Sequence, residues 1–119
     1  MTSDQLALVI EDDAEIARFF ALVLKDVGFT VESLHNGRAA LARLAEIVPR
    51  LVLLDMNMPS VSGVEILNRI RADARLEDVP VIVITANPQM VDHVYDLADL
   101  VLNKPVSYDQ LRDLSRRFV

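Results

Sequence analysis

Polar side chains that could do chemistry fall directly after short apolar runs of this sequence. Carboxylates end two of the runs, a hydroxyl ends a third and an ammonium group ends a fourth. Two carboxylates ~4 Å apart repel by about 4 kcal/mol at an effective dielectric of 20, so a converging set needs a cation or raised pKa values. A hard divalent ion such as Mg²⁺ supplies that cation and leaves positions for water and phosphate oxygens. The residues are Asp12, Asp13, Asp55, Thr85 and Lys104.

Phosphoryl transfer is the chemistry that such a set favours. Asp55 would be the nucleophile, because a carboxylate attacks phosphorus readily once the phosphoryl charge is neutralised. Lys104 would place a positive charge on one phosphate oxygen, and the Thr85 hydroxyl would donate a hydrogen bond to another. The set therefore predicts an acceptor site for a phosphoryl group, provided that the fold brings these residues together.

The elements that would position them are predicted by apolar runs that alternate with helical periods. Five strand–helix units with short connections predict a flavodoxin-like, doubly wound α/β domain, with a five-stranded parallel sheet and helices on both faces. Ligands bind at the carboxyl ends of the strands in such sheets, which is where the polar residues fall. The predicted strands are Leu6–Ile10, Thr30–Leu34, Leu51–Leu54, Val79–Ile84 and Leu100–Leu102.

The helical periods also predict which residues face the sheet. The first helix is predicted to bury a face that begins at Ile16, and to end at Gly28. The second is predicted to continue to Pro49 with Ala45 and Val48 on its inner face.

The composition of the chain excludes several classes of function. The chain has 119 residues, a formal net charge of -6, 52% hydrophobic residues and no cysteine, which suits one domain over residues 1–119 with a filled core. Without cysteine there is no thiolate nucleophile, and we expect a reducing, cytoplasmic location. No basic cluster favours direct nucleic-acid binding, and no apolar stretch approaches the ~20 residues that span a membrane.

Four segments in order carry a family resemblance: VIEDD, LLDMNMPSVSG, VIVITA and NKP. Together they resemble the receiver domain of two-component response regulators, the CheY-like family, over essentially the whole chain. The resemblance implies a phosphoacceptor signalling domain that uses Mg²⁺ and switches conformation. It implies a histidine kinase or histidine phosphotransfer protein as donor, and an output domain in cis or a protein target in trans. At most weak self-phosphorylation and self-dephosphorylation is expected, so the chain is not predicted to be an enzyme.

The resemblance also implies a role for each matched residue. Asp55 resembles the phosphoacceptor, Thr85 the hydroxyl that moves onto the phosphoryl oxygen, and Lys104 the lysine that pairs with it. A cis peptide bond is implied before Pro105. The implied Mg²⁺ ligands are Asp12, Asp13, Asp55 and the backbone carbonyl of Asn57.

The sequence departs from the family pattern in two places, and three other interpretations of its residues stay open. Val101 stands where the family carries a tyrosine or phenylalanine, and the stretch from Thr85 to Lys104 is short, so the fourth predicted helix should be short or displaced. Dimer and partner modes are therefore not carried over. A receiver-like module that binds a partner without switching is one alternative, and a flavodoxin-like enzyme is a less favoured one. Asp12 and Asp13, taken alone, are also explained as acids at a helix N-terminus.

Overall fold

A computed structural model describes residues 5–59, 61–86 and 96–119, and its five strands form one parallel sheet. The strands are β1 (Leu6–Ile10), β2 (Thr30–Leu34), β3 (Leu51–Asp55), β4 (Val81–Thr85) and β5 (Leu100–Asn103). The helices are α1 (Ala14–Val27), α2 (Gly37–Leu44), α3 (Gly63–Ala72) and α4 (Tyr108–Ser115), followed by a 3₁₀ turn at Arg116–Phe118. The strand order β2-β1-β3-β4-β5 reverses direction between β1 and β3. The predicted doubly wound sheet is confirmed, and its ligand crevice belongs above the carboxyl ends of these two strands.

Two apolar layers enclose the sheet. The central strands β1, β3 and β4 are buried along their whole length, as expected for continuous apolar runs in a parallel sheet. Alternate residues of β1 face opposite sides, so Leu8 and Ile10 join one core cluster while Ala7 and Val9 join the other. Helices α2 and α3 complete the first cluster, and α1 and α4 complete the second. This packing sets where the carboxyl ends of the strands lie.

The helix boundaries have local causes. Each α-helix begins after a side chain that accepts a backbone N–H of its first turn, which satisfies a donor that the helix leaves unpaired. Helix α1 ends at Val27, and its C-cap Gly28 has a φ of 125°, which glycine adopts at little cost. The capping residues are Asp13, Asn36, Ser62 and Ser107.

Some predicted boundaries and faces were wrong. Strand β4 begins at Val81, not at Val79, because Pro80 has no N–H and the Val79 N–H donates to Leu76 in a turn. Ile16 is 36% exposed, since the buried stripe of α1 begins one residue later at Ala17.

Helix α2 is also shorter than predicted. It ends at Leu44, which leaves Ala45 and Val48 exposed. The chain turns there to begin β3 beside β1, and the Arg50 N–H donates to the Leu6 carbonyl. The predicted fourth helix, in the stretch between Thr85 and Leu97, lies mostly outside the described residues. Within residues 5–59, 61–86 and 96–119, no helix is long and apolar enough to cross a membrane.

Candidate functional site

Neighbouring strands carry the predicted polar residues to one edge of the sheet. Asp55, the last residue of β3, pairs with Ile84 of β4, and Thr85, the last residue of β4, pairs with Asn103 of β5. The Lys104 N–H donates to the Thr85 carbonyl at 2.9 Å, so Lys104 follows directly beyond this pair. Asp55, Thr85 and Lys104 are far apart in sequence, and they thus lie at the carboxyl ends of three neighbouring strands.

Three carboxylates converge at this edge. Carboxylate oxygens of Glu11, Asp12 and Asp55 all lie within 4.8 Å of one another. The pairing of Ile10 with Leu54 explains this, because it sets Glu11 level with Asp55. Glu11 and Asp55 are 1% and 2% exposed, whereas Asp12 is open to solvent. The site therefore holds two buried acids beside one that faces water.

Lys104 partly offsets this negative charge. Its Nζ lies 3.0 Å from Asp55 Oδ1, and its side chain is 27% exposed while that of Asp55 is 1% exposed. A cis peptide bond joins Lys104 to Pro105, as the family resemblance implied. The ammonium group thus approaches the buried carboxylate while part of its side chain stays in solvent.

The surroundings of Glu11 in the cluster change its pKa. Burial raises its pKa from 4.5 to about 7. A hydrogen bond from the Asp13 N–H opposes that rise, the charge of Asp55 adds to it, and Lys104 lowers it. Glu11 Oε1 is buried and has no hydrogen-bond partner among the described residues. A buried acceptor left without a donor is costly, so this oxygen is suited to binding a cation.

The Asp13 carboxylate is not part of this cluster, although the sequence grouped Asp13 with Asp12. Its Oδ1 accepts the backbone N–H groups of Glu15 at 2.9 Å and Ile16 at 3.2 Å, which makes it the N-cap of α1. The structure brings Glu11, and not Asp13, beside Asp12 and Asp55. The explanation of an acid at a helix N-terminus therefore describes Asp13, whereas Asp12 joins the cluster.

The sequence contained a signal for Glu11 that was missed. Asp13 is followed by Glu15 and Ile16 at the start of a helical period, which is typical of an N-cap. If Asp13 is assigned to the helix as its N-cap, Glu11 and Asp12 are the two acids that end the first apolar run. Knowing that β1 pairs with β3 would have placed Glu11 level with Asp55, but that pairing is not visible in the sequence.

The loop after β3 is held against the site by hydrogen bonds. The Asn57 N–H donates to Asp55 Oδ1 at 3.0 Å, and Asn57 Oδ1 accepts the Ala86 N–H at 3.0 Å. Thr85, just before Ala86, is 1% exposed and has an interaction partner. The loop thus contacts the phosphoacceptor candidate and the end of β4 together.

Gly63 allows the loop to return close to β3. A Cβ at this position would lie 2.7 Å from the Met56 Cα and 2.9 Å from the Asp55 carbonyl oxygen. Backbone atoms cannot move aside cheaply, so a residue without a side chain is required at this start of α3. The close approach sets the path of the loop next to Asp55.

The donor set of this site fits a hard divalent cation. Oxygen is the ligand atom that Mg²⁺ prefers, and one or two carboxylates suffice for it when water and phosphate fill the remaining positions. Glu11, Asp12 and Asp55 offer such oxygens, and one of the buried oxygens is without a donor. The acidic cluster is therefore compatible with Mg²⁺ and with an aspartyl phosphate.

Comparison with known proteins agrees with this geometry. The family model described as "Response regulator receiver domain" matches residues 7–116. The chain belongs to the response regulator receiver family. Receiver domains are signalling domains rather than catalysts, and this one presents its acidic cluster at the carboxyl ends of the parallel strands.

Individual relatives support the assignment. The chain is 35% identical over 113 residues to "DNA-binding response regulator MtrA" of Mycobacterium tuberculosis. The aligned region covers 92% of this chain and 48% of that protein. It therefore spans about half the length of the curated relatives it matches.

Two solved structures match the fold. Chemotaxis response regulator CheY4 of Vibrio cholerae superimposes with a TM-score of 0.87 at 25% identity, over 96% of this chain and 98% of that one. TrrA of Thermotoga maritima, solved in complex with Mg²⁺ and BeF, superimposes with a TM-score of 0.86 at 27% identity, over 97% and 99%.

Proposed function

We propose that this receiver domain accepts a phosphoryl group on Asp55 and that the resulting acyl phosphate biases its conformation. The observation that carries the proposal is the buried Asp55 carboxylate, which Lys104 approaches at 3.0 Å beside two further acids. An Asp55 oxygen attacks the phosphorus of a phosphohistidine, the P–N bond breaks, and the imidazole leaves with the electron pair. The product is a mixed anhydride whose charge differs from that of the carboxylate it replaces.

Each surrounding residue has a proposed part in this transfer. Lys104 pairs with a phosphoryl oxygen in place of its present contact with Asp55, and the Thr85 hydroxyl donates to another oxygen. Glu11, Asp12, Asp55 and the Asn57 carbonyl would hold Mg²⁺, and Asp13 is left to cap α1. When bound, Mg²⁺ neutralises negative charge on the transferring group.

Partners and setting are proposals of the same kind. We propose a histidine kinase or histidine phosphotransfer protein as the donor and a receiver domain over residues 1–119. The output would be a domain in cis or a protein target in trans, since MtrA is a DNA-binding response regulator. Cytoplasmic location and weak self-phosphorylation stay predictions.

Val101 favours a second candidate function. In this alternative the chain is a receiver-like module that binds a partner without switching conformation. Val101 pairs with Val83 and packs partly buried against the core cluster that α2 and α3 complete. A β-branched side chain has a restricted χ1, so it offers no large ring movement at this position. This candidate predicts a partner affinity that is the same with and without phosphate on Asp55.

Chemical phosphorylation of the whole chain tests the proposal. The protein is incubated with acetyl phosphate and Mg²⁺, then reduced with borohydride, which converts an aspartyl phosphate to homoserine. Peptide mass spectrometry should find homoserine at position 55 and unmodified aspartate at position 13. No reduction product, or a product only at another aspartate, would overturn the proposal.

Paired amide variants distinguish the Mg²⁺ ligands. Asp12→Asn removes a charge from the cluster and should weaken Mg²⁺ binding by about tenfold or more, as losing a charged ligand does. Asp13→Asn should leave Mg²⁺ affinity nearly unchanged, because Asn caps a helix about as well as Asp. Isothermal titration of both variants with MgCl₂ measures the difference. Equal weakening by the two substitutions would restore Asp13 as a ligand.

A further inference from the structure

A cleft lies at the amino ends of β3 and β4, at the opposite end of the sheet from Asp55. Arg50 directly precedes β3 and Pro80 directly precedes β4, and both line this cleft of about 420 Å³. A five-residue strand is about 16 Å long at ~3.3 Å per residue, so the length of β3 separates the cleft from the acidic cluster. The cleft is therefore distinct from the site described above.

Three arginines line the cleft, in a chain whose formal net charge is -6. Arg50, Arg75 and Arg117 are all exposed, and Asp78 is the one acid among the described residues that line it. Arg75 also pairs with Asp73 at 3.0 Å, which offsets part of its charge. Arg50 and Arg117 make no ion pair within the described part of the chain. The rim of the cleft is thus positive on a chain that is negative overall.

Two of these guanidinium groups are already held in place. Arg50 Nε donates to the Phe118 carbonyl at 2.8 Å, which leaves both of its terminal nitrogens as donors. One terminal nitrogen of Arg75 donates to the Leu44 carbonyl at 2.8 Å and to Asp73 at 3.0 Å, which leaves its Nε and its other terminal nitrogen. Side chains that are fixed in advance lose less entropy on binding. The remaining donors are therefore suited to carboxylates, which arginine binds with two parallel hydrogen bonds.

The floor of the cleft is apolar. Pro49 and Val79 are buried, Pro80 and Phe118 are partly buried, and Val48 at the edge is 47% exposed. Arginine and aromatic side chains are enriched at protein-binding surfaces. A small-molecule site buries most of its ligand, whereas the exposed rim here leaves one side of a ligand in solvent. The composition and the shape together favour a peptide segment over a small molecule.

We propose that this cleft binds a segment of a protein partner that is rich in acidic and apolar side chains. Carboxylates of the segment contact the three arginines, and an apolar side chain lies against Val48 and Phe118. A nucleic acid would need a wider basic surface without Asp78 and without an apolar floor. Because a strand length separates the cleft from Asp55, this partner and a phosphodonor can bind at the same time. The inference goes beyond the proposed function and does not depend on it.

A peptide mixture of defined composition tests the chemistry of the ligand. The probe is a fluorescein-labelled mixture in which each position is Asp, Glu, Leu, Val or Phe, and its match has Asn and Gln in place of the acids. Fluorescence anisotropy with the full chain should show that the acidic mixture binds about tenfold more tightly or better, as for charge-assisted contacts. Added to ¹⁵N-labelled protein, the acidic mixture should shift the Val79 and Phe118 amide resonances and leave that of Asp55 unchanged.

Charge variants locate the binding site. Arg117→Glu should weaken binding of the acidic mixture by about tenfold or more, because it reverses a charge that contacts the ligand. Its urea midpoint should match the wild type, since the Arg117 side chain has no ion pair to lose within the described residues. Arg38→Glu reverses the same charge at an exposed position of α2 and should change binding by less than about twofold. Asp78→Asn removes the acid of the cleft and should tighten binding by about two- to fivefold.

Each contrary result would overturn the inference. Equal weakening by Arg117→Glu and Arg38→Glu would mean that net charge alone attracts the peptides. Equal binding of the acidic and amide mixtures, unchanged binding by Asp78→Asn, or resonance shifts confined to the Asp55 end of the sheet would also rule out an acidic ligand in this cleft. None of these measurements needs phosphate on Asp55, so a failure of the proposed function would leave this inference standing, and the reverse also holds.

Discussion

Asp55→Asn should abolish phosphorylation by acetyl phosphate while the fold is retained. The amide oxygen is a poor nucleophile towards phosphorus, so no acyl phosphate can form at this position. The substitution keeps the size of the side chain and an oxygen that can accept the Asn57 N–H, now at 3.0 Å from Asp55 Oδ1. Incorporation of ³²P from labelled acetyl phosphate should fall to the background of a reaction without protein.

A distant carboxylate provides the control for this experiment. Asp78 is exposed and lies three residues before β4, at the end of the strand opposite Thr85. Asp78→Asn removes the same charge from the chain and should label like the wild type. Full labelling of Asp55→Asn, with the same urea midpoint as the wild type, would show that another residue accepts the phosphoryl group.

The strands and their polar ends could be predicted because two sequence signals agree. A continuous apolar run such as Leu51 to Leu54 is typical of a strand buried on both faces, and an acid directly after it must find a partner. The alternation with helical periods then places all strand carboxyl ends at one edge. Convergence of Asp55 with Lys104 follows from that topology without knowledge of any distance.

The details that could not be predicted depend on neighbours in space. Whether Glu11 or Asp13 faces Asp55 is decided by the register of β1 on β3, in which Ile10 pairs with Leu54. The start of α1 then decides which acid is left to cap it. The early end of α2 is likewise set by the path that the chain takes to reach β3, and not by the apolar spacing of Ala45 and Val48.

Lys104→Met should destabilise the metal-free protein by about 2 kcal/mol. Breaking a fully buried ion pair costs about 3–5 kcal/mol, and the cost is smaller here because Lys104 is 27% exposed. The variant leaves Glu11, Asp12 and Asp55 converging without the ammonium group that lies 3.0 Å from Asp55. Urea unfolding in buffer with a chelator measures the loss.

The chain offers a matched control for this substitution. Lys25 is the one other lysine of the sequence, and it is exposed in the last turn of α1. Lys25→Met removes the same charge and should change stability by only about 0.5 kcal/mol, as is usual for a surface position. An equal loss in both variants would mean that net charge, and not the site, accounts for the effect.

The effect of Lys104→Met should depend on pH and on Mg²⁺. The pKa of Glu11 is raised from 4.5 to about 7 in the folded protein, so its contribution to stability is fully present below pH 4.5 and is lost as the pH rises through 7. Lys104 lowers this pKa, so Lys104→Met should reduce the free energy of unfolding by more above pH 7 than below it. Added Mg²⁺ should then stabilise Lys104→Met more than the wild type, because a cation restores the charge balance that the lysine supplied. If instead the destabilisation were the same at both pH values and with Mg²⁺, Lys104 would act through packing alone, and its electrostatic role beside Asp55 would be excluded.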